Sequence, residues 1–462
     1  MSLAADAVTP FCRRAAWAFV AWAVVAGLGL GQMAAETPGN VTMQVTPAAG
    51  RAMVAQALSK GNADLAIRIA RQLLAANPAD IEAQVLLTAA LSRVGQSQAA
   101  AAAGKQAFHA TKSRPLKFQA AFLTAKALAG QNQPWAAKWW LRRADSFRST
   151  PTDIALLRRG FASLDQRTPL KFTLTLGVGP SNNVNGGSLH NTYDYFGIPI
   201  PIEQALSGTT GVIAGQLSYR LLKRETSSVT AFTKLRHREV WMSGQALKLA
   251  PWAKSSDYSS DAVEIGFSGQ WRASKTLGLN YSAQIGRQWH NSGQHNETQR
   301  LQFGLAKLIS GDRVLRFDLT TDAVQSPSAP RTNSQRWAAE ASMAVQMGKG
   351  RLTGLFGLAR LDAEAPGLPY RAVSLGVEAD PASFVQGIDF GFFAEVEAKE
   401  YWKAKTEHPD LVLEAGATAS LSNMSLLGFR PTATLSATRS ISDLVVRDSM
   451  NIGLSVGIRS SF

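Results

Sequence analysis

From Pro169 onward the chain consists of short segments in which apolar and polar residues alternate. In the last of them Met450, Ile452, Leu454, Val456 and Ile458 alternate with Asn451, Gly453, Ser455, Gly457 and Arg459. Leu277, Leu279, Tyr281, Ala283 and Ile285 alternate in the same way with Gly278, Asn280, Ser282, Gln284 and Gly286. Residues two apart share a face of a strand, so each segment has one face suited to lipid and one suited to water. The pattern predicts fourteen strands, near 170–180, 212–222, 226–238, 258–270, 275–289, 297–309, 313–324, 334–347, 351–362, 369–380, 386–399, 409–422, 426–438 and 447–462. Long connections are expected after Pro180, Arg238, Trp289, Val324, Asp362, Lys399 and Thr438. Short ones are expected at Lys223-Arg224-Glu225, Ala273-Ser274, Ser310-Gly311-Asp312, Gly348-Lys349-Gly350, Pro381-Ala382-Ser383 and Asn423-Met424. Transmembrane barrels show this asymmetry, whereas a soluble β-sandwich has no reason to alternate its loop lengths.

Between about Arg51 and Leu164 the period changes from two to that of a helix, as in Leu65, Ile69, Leu73 and Leu74. Gly61-Asn62, Gly95-Gln96 and Gly130-Gln131 mark turns 34 and 35 residues apart, and Ala66 and Ala100 fall 34 apart at expected helix contacts. That spacing matches the tetratricopeptide period, with an unrelated helical bundle as the alternative. The expected fold is therefore an α+β two-domain chain. A periplasmic tetratricopeptide-like helical domain at 51–164 precedes a 14-stranded antiparallel transmembrane β-barrel at 170–462, with linkers at 36–50 and 165–169.

Composition narrows the compartment. With 45% hydrophobic residues, 18% charged residues and a mean hydropathy of −0.06, the chain is neither a disordered tail nor a polytopic helical membrane protein. Arg13 and Arg14 precede an apolar run from Ala15 to Leu30, and Ala34 and Ala35 follow, which reads as a secretory signal over residues 1–35. The single cysteine, Cys12, falls inside that signal, so no disulfide, thiolate chemistry or cysteine metal site is expected.

Catalytic chemistry finds no foothold. There is no nucleophile elbow, phosphate loop or HExxH helix, so no catalytic residue, cofactor or metal is expected. His290 and His295 are expected to share a solvated external loop. Glu395 and Glu397 share a strand face and are expected to pair in the lumen with Lys and Arg of neighbouring strands. Charge is more informative: residues 36–165 hold 16 Lys and Arg against 7 Asp and Glu, whereas residues 166–462 hold 30 against 25. Arg142, Arg143, Arg148, Arg158 and Arg159 lie beside Trp135, Trp139 and Trp140. They form a candidate substrate-binding surface for an acidic polypeptide, anionic lipid headgroups or the barrel rim, or else a solvated helix face with core aromatics. A periplasmic domain meets no nucleic acid.

Three stretches point to a family. Pro180-Ser181-Asn182-Asn183-Val184-Asn185 follows the first strand; Thr438-Arg439-Ser440 and Leu454-Ser455-Val456-Gly457-Ile458-Arg459 lie in the last pair. Together with the signal, the helical domain and the terminal Phe462, they resemble the surface lipoprotein assembly modulators, the outer-membrane translocons of type XI secretion. The resemblance implies transport of a lipoprotein or small soluble protein to the cell surface, with outer-membrane lipid, periplasmic chaperones and the barrel-assembly machinery as further partners. Phe462 resembles the carboxy-terminal signature that the machinery reads for insertion. Asn182, Asn183 and Asn185 equally suit a turn at a strand end. An exopolysaccharide exporter, which also joins tetratricopeptide repeats to a barrel, and a passive porin are the competing functions; the basic helical domain is expected to disfavour a cationic polymer.

Overall fold

The computed structural model describes residues 45–290, 293–382, 385, 387–403, 409–421 and 429–461. The expected signal at 1–35, most of the linker before the helices, the turn at Asn423-Met424 and Phe462 lie outside the described residues. Two compact units divide between Gln133 and Pro134.

The first unit contains α1 (Pro47–Ser59), α2 (Ala63–Ala76), α3 (Ile81–Arg93), α4 (Ser97–Ala110) and α5 (Arg114–Gly130). Thr46 caps α1 by accepting a hydrogen bond from the Ala49 amide, so the first helix begins within the expected linker. Asn62 and Asp80 cap α2 and α3 in the same way. Gly61 and Gly95 adopt left-handed φ angles of 82° and 77°, which costs glycine little because it has no Cβ. In both turns the next amide reaches back five residues, Asn62 to Ala57 and Gln96 to Leu91, the bond that closes a Schellman cap. The third turn falls at the expected position but is built differently. Gly130 remains helical and Asn132 takes the left-handed angle, 56°, while Gln133 donates to the Leu128 carbonyl. Gly130 instead permits close packing, since a Cβ there would stand 2.7 Å from the Ser97 hydroxyl. Ala66 and Ala100 are fully buried.

The second unit opens with α6 (Pro134–Asp145) and α7 (Pro151–Arg167). A reciprocal capping box between Thr150 and Asp153 starts α7, which runs three residues past the expected boundary at 164. The strands follow: β1 (Leu170–Ser181), β2 (Thr192–Tyr195), β3 (Ile198–Pro201), β4 (Gly208–Lys223), β5 (Ser227–Met242), β6 (Ser260–Arg272), β7 (Leu277–His290) and β8 (His295–Ser310). Then come β9 (Arg313–Gln325), β10 (Ser334–Met347), β11 (Gly350–Ala363), β12 (Tyr370–Asp380), β13 (Ile388–Glu400), β14 (Asp410–Leu421), β15 (Arg430–Ile441) and β16 (Ser449–Ser461). A six-residue helix, α8 (Gly244–Leu249), lies between β5 and β6. Strands β1 and β4 to β16 form a closed antiparallel barrel of fourteen strands, sealed where β1 pairs with β16, and β2 and β3 form a separate hairpin in the first long connection. One loop expectation fails. Only residues 291–294 join β7 to β8, where a long loop was expected, and His290 and His295 are strand-end residues. The short connection expected at Pro381-Ala382-Ser383 lies partly outside the described residues, between the end of β12 at Asp380 and the start of β13 at Ile388.

The outer wall is apolar and uncovered. Ile213, Leu235, Phe267, Leu301, Leu319 and Leu375 are each about half exposed or more on the face that alternation assigns to lipid. Trp241, Trp289 and Trp337 lie toward the long-connection end of this face, and Tyr219 and Trp271 toward the opposite end. Two aromatic girdles flanking an apolar band identify a membrane-spanning barrel of the outer-membrane type. No described helix is long and apolar enough to cross a membrane.

Candidate functional site: the barrel lumen

Residues opposite each other across an antiparallel ladder share a face, so the register identifies every inward position. On β5 these positions hold Lys234, Arg236 and Arg238, and near the short-connection end Lys171, Arg220, Arg430 and Arg459 also face inward, with Arg430 opposite Arg459. From β9 to β14 the inward charge reverses. Asp318 stands opposite Glu340, Glu395 stands opposite Glu414, and Glu378 and Glu397 lie on the same face. Glu340 lies within the electrostatic field of Asp318, Glu378 and Glu395, which places these carboxylates in one group.

Between these arcs the charges cancel. Lys234 Nζ donates to Glu264 Oε2 at 3.2 Å and to Gln284 Oε1 at 3.0 Å, bridging β5, β6 and β7. Asp322 on β9 accepts from Arg300 on β8 and lies 3.6 Å from Arg336 on β10. In the acidic arc Glu397 pairs only with Lys399 of its own strand, at 3.0 Å. Glu340, Glu378, Glu395 and Glu414 make no ion pair among the described residues. The expectation that Glu395 pairs with a basic neighbour is thus corrected: its cross-strand partner is another glutamate. Like charges directly opposite destabilise a sheet, so this arrangement is held at a cost that packing does not explain.

The lumen is structured at both ends. At the short-connection end the Arg220 guanidinium donates to the carbonyls of Asp165, Gln166 and Thr168, at 3.2, 3.0 and 3.4 Å. It thereby satisfies the last turn of α7 and matches its negative dipole end. At the other end Arg238 donates to the Val184 carbonyl at 3.0 Å and the Tyr258 carbonyl at 3.2 Å. Val184, Leu206, Val240, Met242, Ala246 and Ala250 form a small buried core there, which fixes the base of the first long connection on inward-facing Val240. Burial and a hydrogen bond to Glu203 push the Tyr258 hydroxyl up to about 12. The β2–β3 hairpin above this base is exposed at every residue.

The three asparagines are spent on the loop. Asn182 Oδ1 accepts from the Ile452 amide of β16 at 2.6 Å, continuing the seam beyond the end of β1. Asn183 donates to the carbonyls of Gly187 and Met450 and accepts from the Gly187 amide. Asn185 donates to the Gln204 carbonyl and Glu203 and accepts from the Leu206 amide. The arginine and tryptophan cluster is divided in the structure. Arg142 is buried, and desolvation lowers its guanidinium to about 10 against the opposing pull of Asp165. Arg143 packs over Trp140 with 4.9 Å to the ring centroid, and Arg148 pairs with Asp145 at 2.6 Å. Arg158 and Arg159 are exposed on α7, and Trp135 and Trp139 are exposed one turn apart on α6. No group of three or more metal-ligating side chains exists among the described residues.

No family model and no curated protein matches the chain. Among solved structures it is similar to a bacterial polysaccharide outer membrane secretin, at 10% identity over 63% of this chain and 98% of that one, TM-score 0.34. CdiB from Acinetobacter baumannii is similar at 10% identity over 64% and 60% of the two chains, TM-score 0.36. A Pseudomonas aeruginosa FadL homologue is similar at 10% identity over 63% and 89%, TM-score 0.33.

Proposed function

We propose that the protein is a non-enzymatic outer-membrane translocon that moves a lipoprotein or small soluble protein from the periplasm to the cell surface. The observation that carries this reading is the lumen, polar on its inward positions, with a basic arc on one wall and on the other an acidic arc in which Glu340, Glu378, Glu395 and Glu414 make no ion pair among the described residues. An extended polypeptide bears both signs of charge and finds complementary groups on both walls. The helices of the first unit, which repeat at 34 residues between Gly61 and Gly95, supply a tetratricopeptide-like surface that receives cargo on the periplasmic side. Arg158, Arg159, Trp135 and Trp139 offer exposed contacts, whereas Arg142 acts through the packing of α6. Folding of the cargo outside the cell supplies direction without ATP.

The acidic arc itself favours a second reading, export of a cationic polymer such as a partly deacetylated polysaccharide. A passive porin leaves the helical unit without a purpose. Deleting the gene and comparing surface-exposed and secreted proteomes with the parent strain separates the readings. Loss of one or two surface proteins, with their accumulation in the periplasm, is the expected result. An unchanged proteome with lost matrix polysaccharide would establish the second reading instead.

A further inference from the structure

The outward face of the barrel carries a depression of about 830 Å³ across strands β7 to β12. Its floor exists because Ala339 and Thr321 are small where their neighbours are large: Phe303, Leu319, Trp337 and Leu358 form its walls. The lining is mostly apolar and carries no charge until the long-connection end, where Arg360 of β11 and Arg371 of β12 stand directly opposite each other. Both guanidiniums lie against the Trp402 ring, at 5.2 and 5.5 Å from its centroid. Arg360 is engaged by Asp362 at 2.9 Å, but Arg371 makes neither an ion pair nor a hydrogen bond among the described residues. Glu400, opposite Arg371 in the ladder, makes none either. An outward arginine is costly beside hydrocarbon and favourable at headgroup level, where an anion meets it.

We propose that this groove is a binding site for one phosphorylated, acylated lipid of the outer leaflet, with an acyl chain over Ala339 and Thr321 and its phosphate on Arg371 and Arg360. Charge complementarity and continuity with the lipid-facing band argue for this occupant. Trp402 holds the two guanidiniums in place by cation–π contact, so the site exists before the lipid arrives. The long-connection end of such barrels faces the outside, the leaflet in which phosphorylated glycolipid resides.

The test is native mass spectrometry of the full chain in detergent, titrated with purified lipid A and with the same lipid after phosphatase treatment. One lipid A is expected to remain bound, and removing the phosphates should weaken binding about tenfold or more. Arg371→Gln should cause a loss of similar size, Arg371→Lys should retain most of the binding, and Ala339→Phe should abolish it by filling the groove. Migration of each variant as a heat-modifiable folded barrel reports its integrity. Equal binding of the dephosphorylated lipid, or full binding by folded Arg371→Gln and Ala339→Phe, would overturn the site.

Discussion

Two stretches of the same inner wall treat charge in opposite ways. From β5 to β10 cations and anions interleave: Lys234 reaches Glu264 and Gln284, and Asp322 sits between Arg300 and Arg336. From β9 to β14 carboxylates oppose carboxylates, Asp318 with Glu340 and Glu395 with Glu414. A barrel that needed only a stable wall would continue the first pattern around its circumference. The paired charges of the first stretch therefore stabilise the wall, and the like-charged carboxylates of the second leave a net negative field in the lumen.

Removing the field is expected to produce the largest effect. Glu340→Gln, Glu395→Gln and Glu414→Gln combined should lower the cation-over-anion permeability ratio of the full chain in planar bilayers about fivefold or more, read from the reversal potential in a salt gradient. The folded barrel should tolerate the change, because it relieves repulsion rather than breaking a bond. An unchanged reversal potential in the triple variant would remove the acidic arc from any account of selectivity.

The interleaved stretch should respond in the opposite sense. Asp322→Asn takes the shared anion from between Arg300 and Arg336. Arg300 is half exposed, so the expected cost is only about 1 kcal/mol, seen as an earlier urea midpoint in the heat-modifiability assay. Its reversal potential should barely move. A large shift in selectivity with no loss of stability would erase the distinction between the two stretches.

The sequence makes these two stretches look alike. Alternation is local, so Leu315, Phe317 and Leu319 announce their face without knowledge of any partner, and the strand count follows from it. Charge pairing is not local. Glu395 and Glu414 meet only through the register of β13 on β14, which neither strand's own alternation encodes. Loop length shows the same limit. His290 and His295 close β7 and β8 over four residues, because polar residues that resemble a loop continue the ladder. In the helices all three glycine-marked turns were legible, but that Gly130 also packs against Ser97 while Asn132 takes the left-handed angle is revealed by no local signal. The cluster of Arg142, Arg158 and Arg159 was visible as composition. Only packing shows that the first is buried and the others exposed.

The contrast between partnered and unpartnered carboxylates extends to the rim, where its effect is smallest and most easily titrated. Asp448, between β15 and β16, accepts from Arg439 and from His190 Nε2, the latter at 2.9 Å. Its partial burial disfavours the charge, but the hydrogen bonds from Arg439 and His190 outweigh that, and its carboxyl lies below the ordinary value of 3.8. A carboxyl lowered on folding binds its proton more weakly in the native state, so its stabilising contribution is complete well above 3.8 and disappears as pH falls through the lower folded value. The anchor of the first long connection on the Asp448 carboxylate, through His190, should therefore hold at pH 6 and loosen as pH falls through the lowered folded value. Limited digestion with an acid-active protease should then cut within residues 188–201 more readily at pH 3 than at pH 5. Asp448→Asn should already be cut readily at pH 5 and show less change between the two. Equal cleavage of the parent and the variant at pH 5 would mean that the loop is held by its asparagines alone, and that charge at the rim, like charge in the interleaved wall, adds only a margin.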